Sequence, residues 1–338
     1  MRTYLRFVAW MNQCRVPLFA GLLVIALALA AAASQKVRFT PKFSPGETLY
    51  YQIESRATTT GKTTTPVVNP EGGTRSSQKI SLLVRLDVLD VRAPSGLAPA
   101  LARLRATYEK SHAESESDAF DSEAASLDDQ YRRIEGQSIE FTLDPSLQIT
   151  AIKGVEDIFP DRSAAAPVLA WLNGLFETGF PAEGVAIGQK WKSERPIAAP
   201  LSGLAWITQS AYLRNEPCNS SVRAAAATNS SPGPPSMCAT ILTHFEISRR
   251  GSPHSDATPQ DYLRNGLRTS GTWTGSGESL DSISLANGLL VSSTQSSTQE
   301  MDYQITSAST GSSIHRQGRV QSQSVITLVP VPQAAAQP

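Results

Sequence analysis

The four histidines are the first residues to test for chemistry, because imidazole is the commonest general base and a frequent metal ligand. No two of them lie two to four positions apart, so the zinc-binding helix with paired histidines is excluded. The Gly-x-Ser-x-Gly nucleophile elbow is also absent. A Ser/His/Asp triad assembled from distant positions stays open, but we assign no catalytic residue and predict no metal and no cofactor. The histidines are His112, His244, His254 and His315.

Two other stretches have the composition of a ligand site without its spacing. Residues 113–129 hold seven acids and few apolar side chains, but they lack the Asp/Asn/Gly spacing of a calcium loop. We interpret this stretch as the solvated face of a helix or loop. The run from Gly271 to Gly277 is rich in glycine, but no Lys-Ser/Thr pair and no helix follow it, as they do in a phosphate loop. It predicts a glycine-rich strand.

Three large aromatic side chains stand out in the second half of the chain, at Trp191, Trp206 and Trp273. Aromatic residues often line apolar ligand pockets. Tryptophan is also highly buried in ordinary cores, and we predict the core role here.

The N-terminus has the three parts of an export signal. Three arginines and no acid occupy the first fifteen residues, and an apolar run follows from Val16 to Ala33. The small residues at the end of this run fit signal-peptidase cleavage between Ala33 and Ser34. We therefore predict a signal peptide at residues 1–33 and a location in the periplasm or outside the cell. An uncleaved membrane anchor is the alternative, because the run is at the lower limit for crossing a bilayer.

The part of the chain after the signal is nearly neutral. The signal holds three of the 30 basic residues and none of the 30 acidic ones, so three more acids than bases remain. Balanced charge gives no electrostatic footprint for nucleic acid or for an anionic membrane surface. We predict no nucleic-acid partner. The partner is otherwise unknown, with a lipid or another envelope protein as candidates and membrane attachment only through a retained signal.

Cys218 and Cys238 are the two cysteines that remain after the signal. They flank a stretch rich in alanine, proline and glycine, which indicates a loop. An even number of cysteines in an oxidising compartment favours a disulfide, and we predict that these two residues pair. Two free buried thiols are the alternative, and we disfavour a metal site at this position.

Most of the exported part shows the period-two alternation of half-buried strands. The clearest case runs from Ile80 to Val88, after which the phase slips as it does at a β-bulge. Residues 58–76 are rich in threonine, glycine and serine and are predicted to form a long hairpin tip or a mobile loop. Further strands are predicted at 49–54, 101–108, 139–143, 147–151, 204–213, 239–247, 267–275, 289–298 and 319–329, with a tight turn at Asp144-Pro145-Ser146 between the third and the fourth.

One amphipathic helix is predicted at residues 163–178, before Gly179 and Pro181. Its apolar stripe must be covered, and the open face of a sheet is the simplest cover. We therefore predict a mainly β (α+β) fold of two related antiparallel curved sheets, or half-barrels, with this short helix between them. The stripe consists of Val168, Leu169, Leu172, Leu175 and Phe176.

The predicted organisation has five parts. They are the signal at 1–33, a first β-sheet unit at 34–160, a helix and connector at 161–187, a second β-sheet unit at 188–329 and a disordered tail at 330–338. A weak internal repeat relates the two units, since Leu143-Asp144 and Leu280-Asp281 each end a strand before a turn. Duplication of a sheet-sized unit explains the repeat, and chance similarity between hairpins is the alternative.

Three short motifs resemble a family of uncharacterised exported bacterial β-rich proteins. They are the Phe-x-x-Gly-Glu-x-x-x-Tyr opening from Phe43 to Tyr51, the Leu143-Asp144 pair before a turn, and the Phe180-Pro181 to Trp191 segment. The resemblance spans most of the exported part and implies a β-rich exported protein. It implies no activity, because the family has none assigned.

The leading functional hypothesis is a non-enzymatic binding protein of the periplasm or envelope, for an apolar or lipid-like ligand. It rests on fold-level analogy, since curved sheets with a helix across one face occur in periplasmic carriers of apolar cargo. One alternative is an envelope hydrolase with a spatially assembled site, which a cleft holding two nearby carboxylates favours. The other is a structural partner of an envelope protein, which an exposed apolar patch favours.

Overall fold

The computed structural model describes most of the chain after the predicted signal. The described residues are 36–64, 73–92, 101–118, 122–144, 147–158, 172, 174–176, 179–196, 204–218, 236–249 and 266–331. The predicted cleavage site at Ala33 and Ser34 lies outside them, as do His254 and residues 332–338 of the predicted tail. Among the described residues, no helix is both long and apolar enough to cross a membrane.

Within the described residues, eleven strands form one antiparallel sheet that is not closed. The prediction of a mainly β fold is confirmed. Within the described residues, two helices with complete bounds accompany the sheet, α1 (Ser122–Ile134) and α2 (Val155–Ile158). The strands are β1 (Thr48–Thr64), β2 (Thr74–Arg92), β3 (Leu101–Ser117), β4 (Ser138–Leu143), β5 (Ile149–Lys153), β6 (Lys190–Pro196), β7 (Leu204–Pro217), β8 (Met237–Arg249), β9 (Leu267–Ser284), β10 (Leu290–Ser307) and β11 (Ser313–Val329).

The strand order explains how the two halves of the chain meet. Strands β1 to β5 run outward to one edge of the sheet, and β6 to β11 run inward from the opposite edge. β11 then pairs antiparallel with β1, from Tyr50 opposite Val329 to Thr64 opposite His315. The two predicted sheets are therefore joined side by side into a single sheet.

The first strand shows why the sequence folds this way. Leu49, Tyr51 and Ile53 are buried, whereas Gln52 and Glu54, which alternate with them, are exposed, as the pattern predicts. β1 continues to Thr64 and β2 begins at Thr74, and the two strands pair antiparallel as far as Gly61 and Thr74. The long-hairpin alternative is therefore confirmed for the described residues 58–64 and 74–76, and the mobile-loop alternative is wrong for them. Threonine is β-branched and suits a pleated strand, and this preference holds the hairpin extended where the composition also allowed a loop.

The core lies on one face of the sheet, which we call the apolar face. Val84, Leu86, Leu104 and Phe141 on this face are almost fully buried. α1 packs against β3, and its Ile134 is buried. The β-bulge predicted after Val88 is confirmed by a shift in the register between β2 and β3.

The predicted helix is only partly within the described residues. Leu172 and residues 174–176 are helical, whereas Val168 and Leu169 lie outside. Leu172, Leu175 and Phe176 are buried, and the Phe176 ring lies 5.9 Å from the Phe141 ring of β4. The prediction that this stripe packs on the sheet is confirmed for these three side chains.

A disulfide joins Cys218, just after β7, to Cys238 near the start of β8. The predicted pairing is confirmed, and the alternative of two free thiols is excluded. Both cysteines are buried, and the amide of Cys218 donates a hydrogen bond to the carbonyl of Ser236 at 2.9 Å. The bond therefore fixes the two strands together where they enter the core.

Candidate functional site

The face opposite the core, which we call the polar face, carries an unbroken row of hydrogen-bonding side chains. Residues that are directly paired in a sheet project from the same face, so the row can be followed from one register to the next. It crosses seven neighbouring strands, from β6 through β7 to β11 and on to β1. This first row consists of Lys192, Gln209, His244, Glu278, Ser296, Gln323 and Arg56.

A second row runs parallel to the first, two residues further along each strand. It begins at β7 and ends at β1, and one of its six members is apolar. The remaining five carry a carboxylate, hydroxyl or amide group. The second row consists of Ile207, Glu246, Ser276, Thr298, Gln321 and Thr58.

Together the two rows line a groove of about 870 Å³. Lys192 of β6 and Arg56 of β1 both line it, although five strands lie between them. On a flat sheet with a strand spacing of about 4.8 Å, these residues would be on the order of 30 Å apart. The groove therefore extends across seven strands, and the polar face is concave along it.

A second cleft of about 550 Å³ lies further along the same strands. It is lined by the next residues of the polar face on β1, β9, β10 and β11, including Thr60, Thr274, Glu300 and Arg319. Because both clefts open on the same side of β1, β9, β10 and β11, they form two parts of one polar surface.

Two carboxylates lie in the groove. Glu278 pairs with His244, and Glu246 pairs with Ser276, so the two glutamates are diagonal neighbours on β8 and β9. Diagonal neighbours have Cα atoms about 7–8 Å apart. His244 Nδ1 lies 3.7 Å from Glu278 Oε2, and their side chains are 61% and 60% exposed. These side chains are in open solvent.

Asp302 and Gln317 line the second cleft, and a histidine beside it makes a closer contact with the carboxylate. His315 Nε2 lies 2.7 Å from Asp302 Oδ1, and Gln317 Nε2 donates to Asp302 Oδ2 at 2.9 Å. The contact with His315, followed by that with Gln317, holds the pKa of the Asp302 carboxyl below its ordinary value. This arrangement fixes the carboxylate on the surface of the sheet.

The structure does not bring the described histidines together. His112 lies on β3, where its Nδ1 is 2.9 Å from Asp128 of α1, and it helps to attach that helix to the sheet. His244 lies in the groove, and His315 contacts Asp302 beside the second cleft. Among the described residues, no group of three or more His, Cys, Asp or Glu side chains could hold a metal ion.

The three tryptophans differ in burial and in their packing partners. Trp191 is buried in the core, where its indole donates to the carbonyl of Gly179 at 3.1 Å, so the predicted core role is confirmed for this residue. Trp206 and Trp273 are half-buried on the apolar face. Trp206 packs edge-on against Phe245, and Trp273 stacks on Tyr303 with ring centres 5.4 Å apart. They lie on the opposite face from the groove.

Residue-by-residue inspection of the sequence does not reveal the groove. Its floor is made of serine, threonine and glutamine side chains, such as Ser276, Ser296 and Gln321, which belong to no chemical motif. The signal that could have shown it is the unusual run of polar residues on both faces of β10 and β11, where a half-buried strand normally alternates.

Comparison with protein-family models finds no match to the chain. Comparison with curated proteins finds no significant relative. The resemblance to uncharacterised exported bacterial proteins stays a prediction. The geometry of the groove is the observation from which a function can be inferred.

Proposed function

We propose that this protein is exported to the periplasm or beyond and acts as a non-enzymatic binding protein that holds its ligand in the groove. The buried Cys218–Cys238 disulfide supports export, because such bonds persist in oxidising compartments. The basic, apolar and small-residue pattern of the N-terminus supports the same location.

The groove itself carries the proposal. Its volume of about 870 Å³ is within the range of roughly 300–1,000 Å³ that is usual for ligand sites. Seven strands each contribute side chains from the first row, so the site is built on rigid elements. A rigid scaffold holds polar groups in place before the ligand arrives, which lowers the entropic cost of binding.

The polarity of the groove determines which ligand we favour. The apolar face is filled by its own side chains and by helical residues such as Leu172 and Phe176. Both clefts described above are lined mainly by polar side chains. We therefore favour a polar ligand over the apolar or lipid-like ligand that the sequence predicts.

An envelope hydrolase is the second candidate, and the Glu246 and Glu278 carboxylates are the observation that favours it. Glycoside hydrolysis needs two carboxylates about 5–10 Å apart. A general acid also needs an apolar environment that keeps it protonated near neutral pH, and Glu278 is 60% exposed. The open solvent around Glu278 is the reason for which we place binding first.

Native mass spectrometry of the full chain tests the binding proposal. The protein is dialysed, incubated with an extract of its own cell envelope and compared with the Ser296→Trp variant. Tryptophan at this exposed position fills the groove, so we expect bound mass on the parent chain and none on the variant. Equal bound mass on both proteins, or none on either, contradicts the proposal.

Gln52→Trp is the matched control, because Gln52 is exposed on the same face but does not line the groove. We expect this variant to bind like the parent chain. Glu246→Gln and Glu278→Gln separate the two candidate functions. Turnover of an envelope polymer that either substitution abolishes would favour the hydrolase.

A further inference from the structure

We propose that the groove binds an uncharged, linear glycan that lies across the strands, an inference that rests on the proposed function and adds the class of ligand. The first observation is the periodicity of the first row. Neighbouring strands are about 4.8 Å apart, and each of the seven strands contributes one polar side chain. A linear glycan presents its hydroxyl groups with a similar repeat along its length.

The chemistry of the row matches hydroxyl groups. The amides of Gln209 and Gln323 and the hydroxyl of Ser296 each donate and accept hydrogen bonds. A sugar hydroxyl does the same. A row that combines two amides, a hydroxyl and charged groups can therefore satisfy successive sugars without requiring a charge on the ligand.

The charges of the groove favour an uncharged ligand. The cations Lys192 and Arg56 occupy the two ends of the first row. Glu278 lies within this row, and Glu246 lies beside it in the second row. A polyanion would meet these two carboxylates, and a polycation would meet the two cations, so either polymer would be opposed at some point along the groove.

A second, independent observation is an exposed apolar strip beside the first row. Leu242, Leu280, Thr294 and Val325 are paired in sequence across β8 to β11, two residues from the first row on the side away from the second. Leu280 is 47% exposed and Val325 is 40% exposed. A sugar ring has polar edges and apolar C–H faces, and the strip and first row offer a surface for each.

The sheet geometry argues against an extended peptide. Peptides that bind to sheets usually add a strand at an edge, where backbone groups are unpaired. The groove instead lies mainly across the faces of β7 to β11 and β1, which are interior strands paired on both sides, and only Lys192 comes from the edge strand β6. Recognition here must come from side chains, and a glycan is recognised in that way.

Isothermal titration calorimetry of the full exported chain with neutral hexasaccharides tests the proposal. The probes are linear β-1,3-glucan, β-1,4-glucan, α-1,4-glucan and β-1,4-N-acetylglucosamine hexamers, each with its disaccharide. We expect at least one hexamer to bind more tightly than its disaccharide, because a longer chain contacts more strands. Gln323→Ala and Leu280→Ala should each weaken that binding by roughly tenfold, whereas Gln52→Ala should leave it unchanged.

Several results would overturn the proposal. Failure of every hexamer to bind would do so, and so would equal affinity for hexamer and disaccharide, or tighter binding of polygalacturonate as an anionic probe. If bound mass is still seen on the parent chain and lost with Ser296→Trp, the binding function stands and only the glycan class is wrong. If both experiments are negative, the proposed function fails as well.

Discussion

The two halves of the sheet, β1 to β5 and β6 to β11, carry different features on their polar faces. In β2 to β4 the apolar face is filled, with Val84, Leu104 and Ile139 almost fully buried. The polar face of this half carries ion pairs, such as Arg105 with Glu140 at 2.6 Å. In β8 to β10 the polar face presents the groove, where His244 Nδ1 and Glu278 Oε2 lie 3.7 Å apart in open solvent. The first half therefore carries close ion pairs on its polar face, whereas the second half has an open groove there.

The apolar face of the second half is also thinner than that of the first. Gly277 of β9 has no Cβ, and the Phe245 ring of β8 lies over it, so any side chain at this position would collide with the ring. The neighbouring positions on this face include Gly275 and the polar residue Ser297. An aromatic ring above a glycine covers backbone that would otherwise lie open. At these positions the second half therefore buries less apolar side-chain surface than the first half does around Leu104.

Two leucines on opposite faces give the largest effect with which to compare the packed apolar face of the first half with the exposed polar face of the second. Leu104→Ala in β3 removes a side chain with no exposed surface, and we expect the free energy of unfolding to fall by about 3 kcal/mol. Leu280→Ala in β9 removes a side chain that is 47% exposed, and we expect a change of less than about 0.5 kcal/mol. Urea denaturation followed by circular dichroism measures both values. Similar losses for the two variants would contradict this difference between the two faces.

The disulfide is the second test, because it belongs to the half with the thinner core. It closes a loop with a sequence separation of 20 residues, and such a loop stabilises a fold by about 3 kcal/mol in the chain-entropy model. We expect the double variant Cys218→Ala, Cys238→Ala to lose about this amount in guanidinium denaturation. Adding reductant should lower the stability of the parent chain but not that of the variant. Equal stability of the two proteins under oxidising conditions would show that the second half does not depend on the bond.

The strands and the disulfide could be predicted from the sequence, for physical reasons that are local. Alternation in the stretch from Ile80 to Val88 reports which side chains face the core, and the phase slip reports the bulge. The pairing of β1 with β11 could not be predicted in this way, because alternation identifies faces but not partners. The extension of β1 to Thr64 could not be predicted either, because the Thr- and Gly-rich composition of this segment fits both a long hairpin and a loop.

The groove could not be predicted, because it is assembled from distant positions. Arg56 and Gln323 are paired across β1 and β11, although most of the chain separates them in sequence. Within a strand the groove's side chains are two positions apart, which is the alternation of any strand and identifies no motif. Only the register of seven strands places them in one row, and that register depends on the whole fold.

A half-buried carboxyl, that of Asp281, provides the third test of how the second half is stabilised. Asp281 of β9 is half-buried beside Ile241, and it accepts hydrogen bonds from Ser293 at 2.6 Å and Ser279 at 3.2 Å. Burial raises the pKa of this carboxyl, so the folded state holds the proton more tightly than the unfolded state does. Stability should therefore fall as the pH rises from the ordinary Asp pKa through the raised value.

Asp281→Asn should remove this dependence and stabilise the protein at neutral pH by on the order of 1 kcal/mol. Its advantage should disappear in acid, where Asp281 of the parent chain is protonated in both states. Asp302→Asn is the control with the opposite sign, because the pKa of Asp302 is lowered by its contacts with His315 and Gln317. Thermal unfolding at several pH values measures both variants. A neutral-pH loss for Asp281→Asn would mean that this part of the second half needs the charge.

The smallest expected effect is the difference in stability between removing Glu140, which contacts Arg105 in the first half, and removing Glu278, which lies near His244 in the second. The hydrogen bond from Arg105 lowers the pKa of Glu140, so its contribution is complete above the ordinary Glu pKa and is lost as the pH falls through the lowered value. We expect Glu140→Gln to reduce stability at neutral pH by about 0.5 kcal/mol, and the double variant with Arg105→Gln to lose little more. Glu278→Gln should have no measurable effect, because His244 and Glu278 are 3.7 Å apart in open solvent. An equal loss from Glu278→Gln would mean that the groove carboxylate stabilises the fold, and its place in the ligand site would need another explanation.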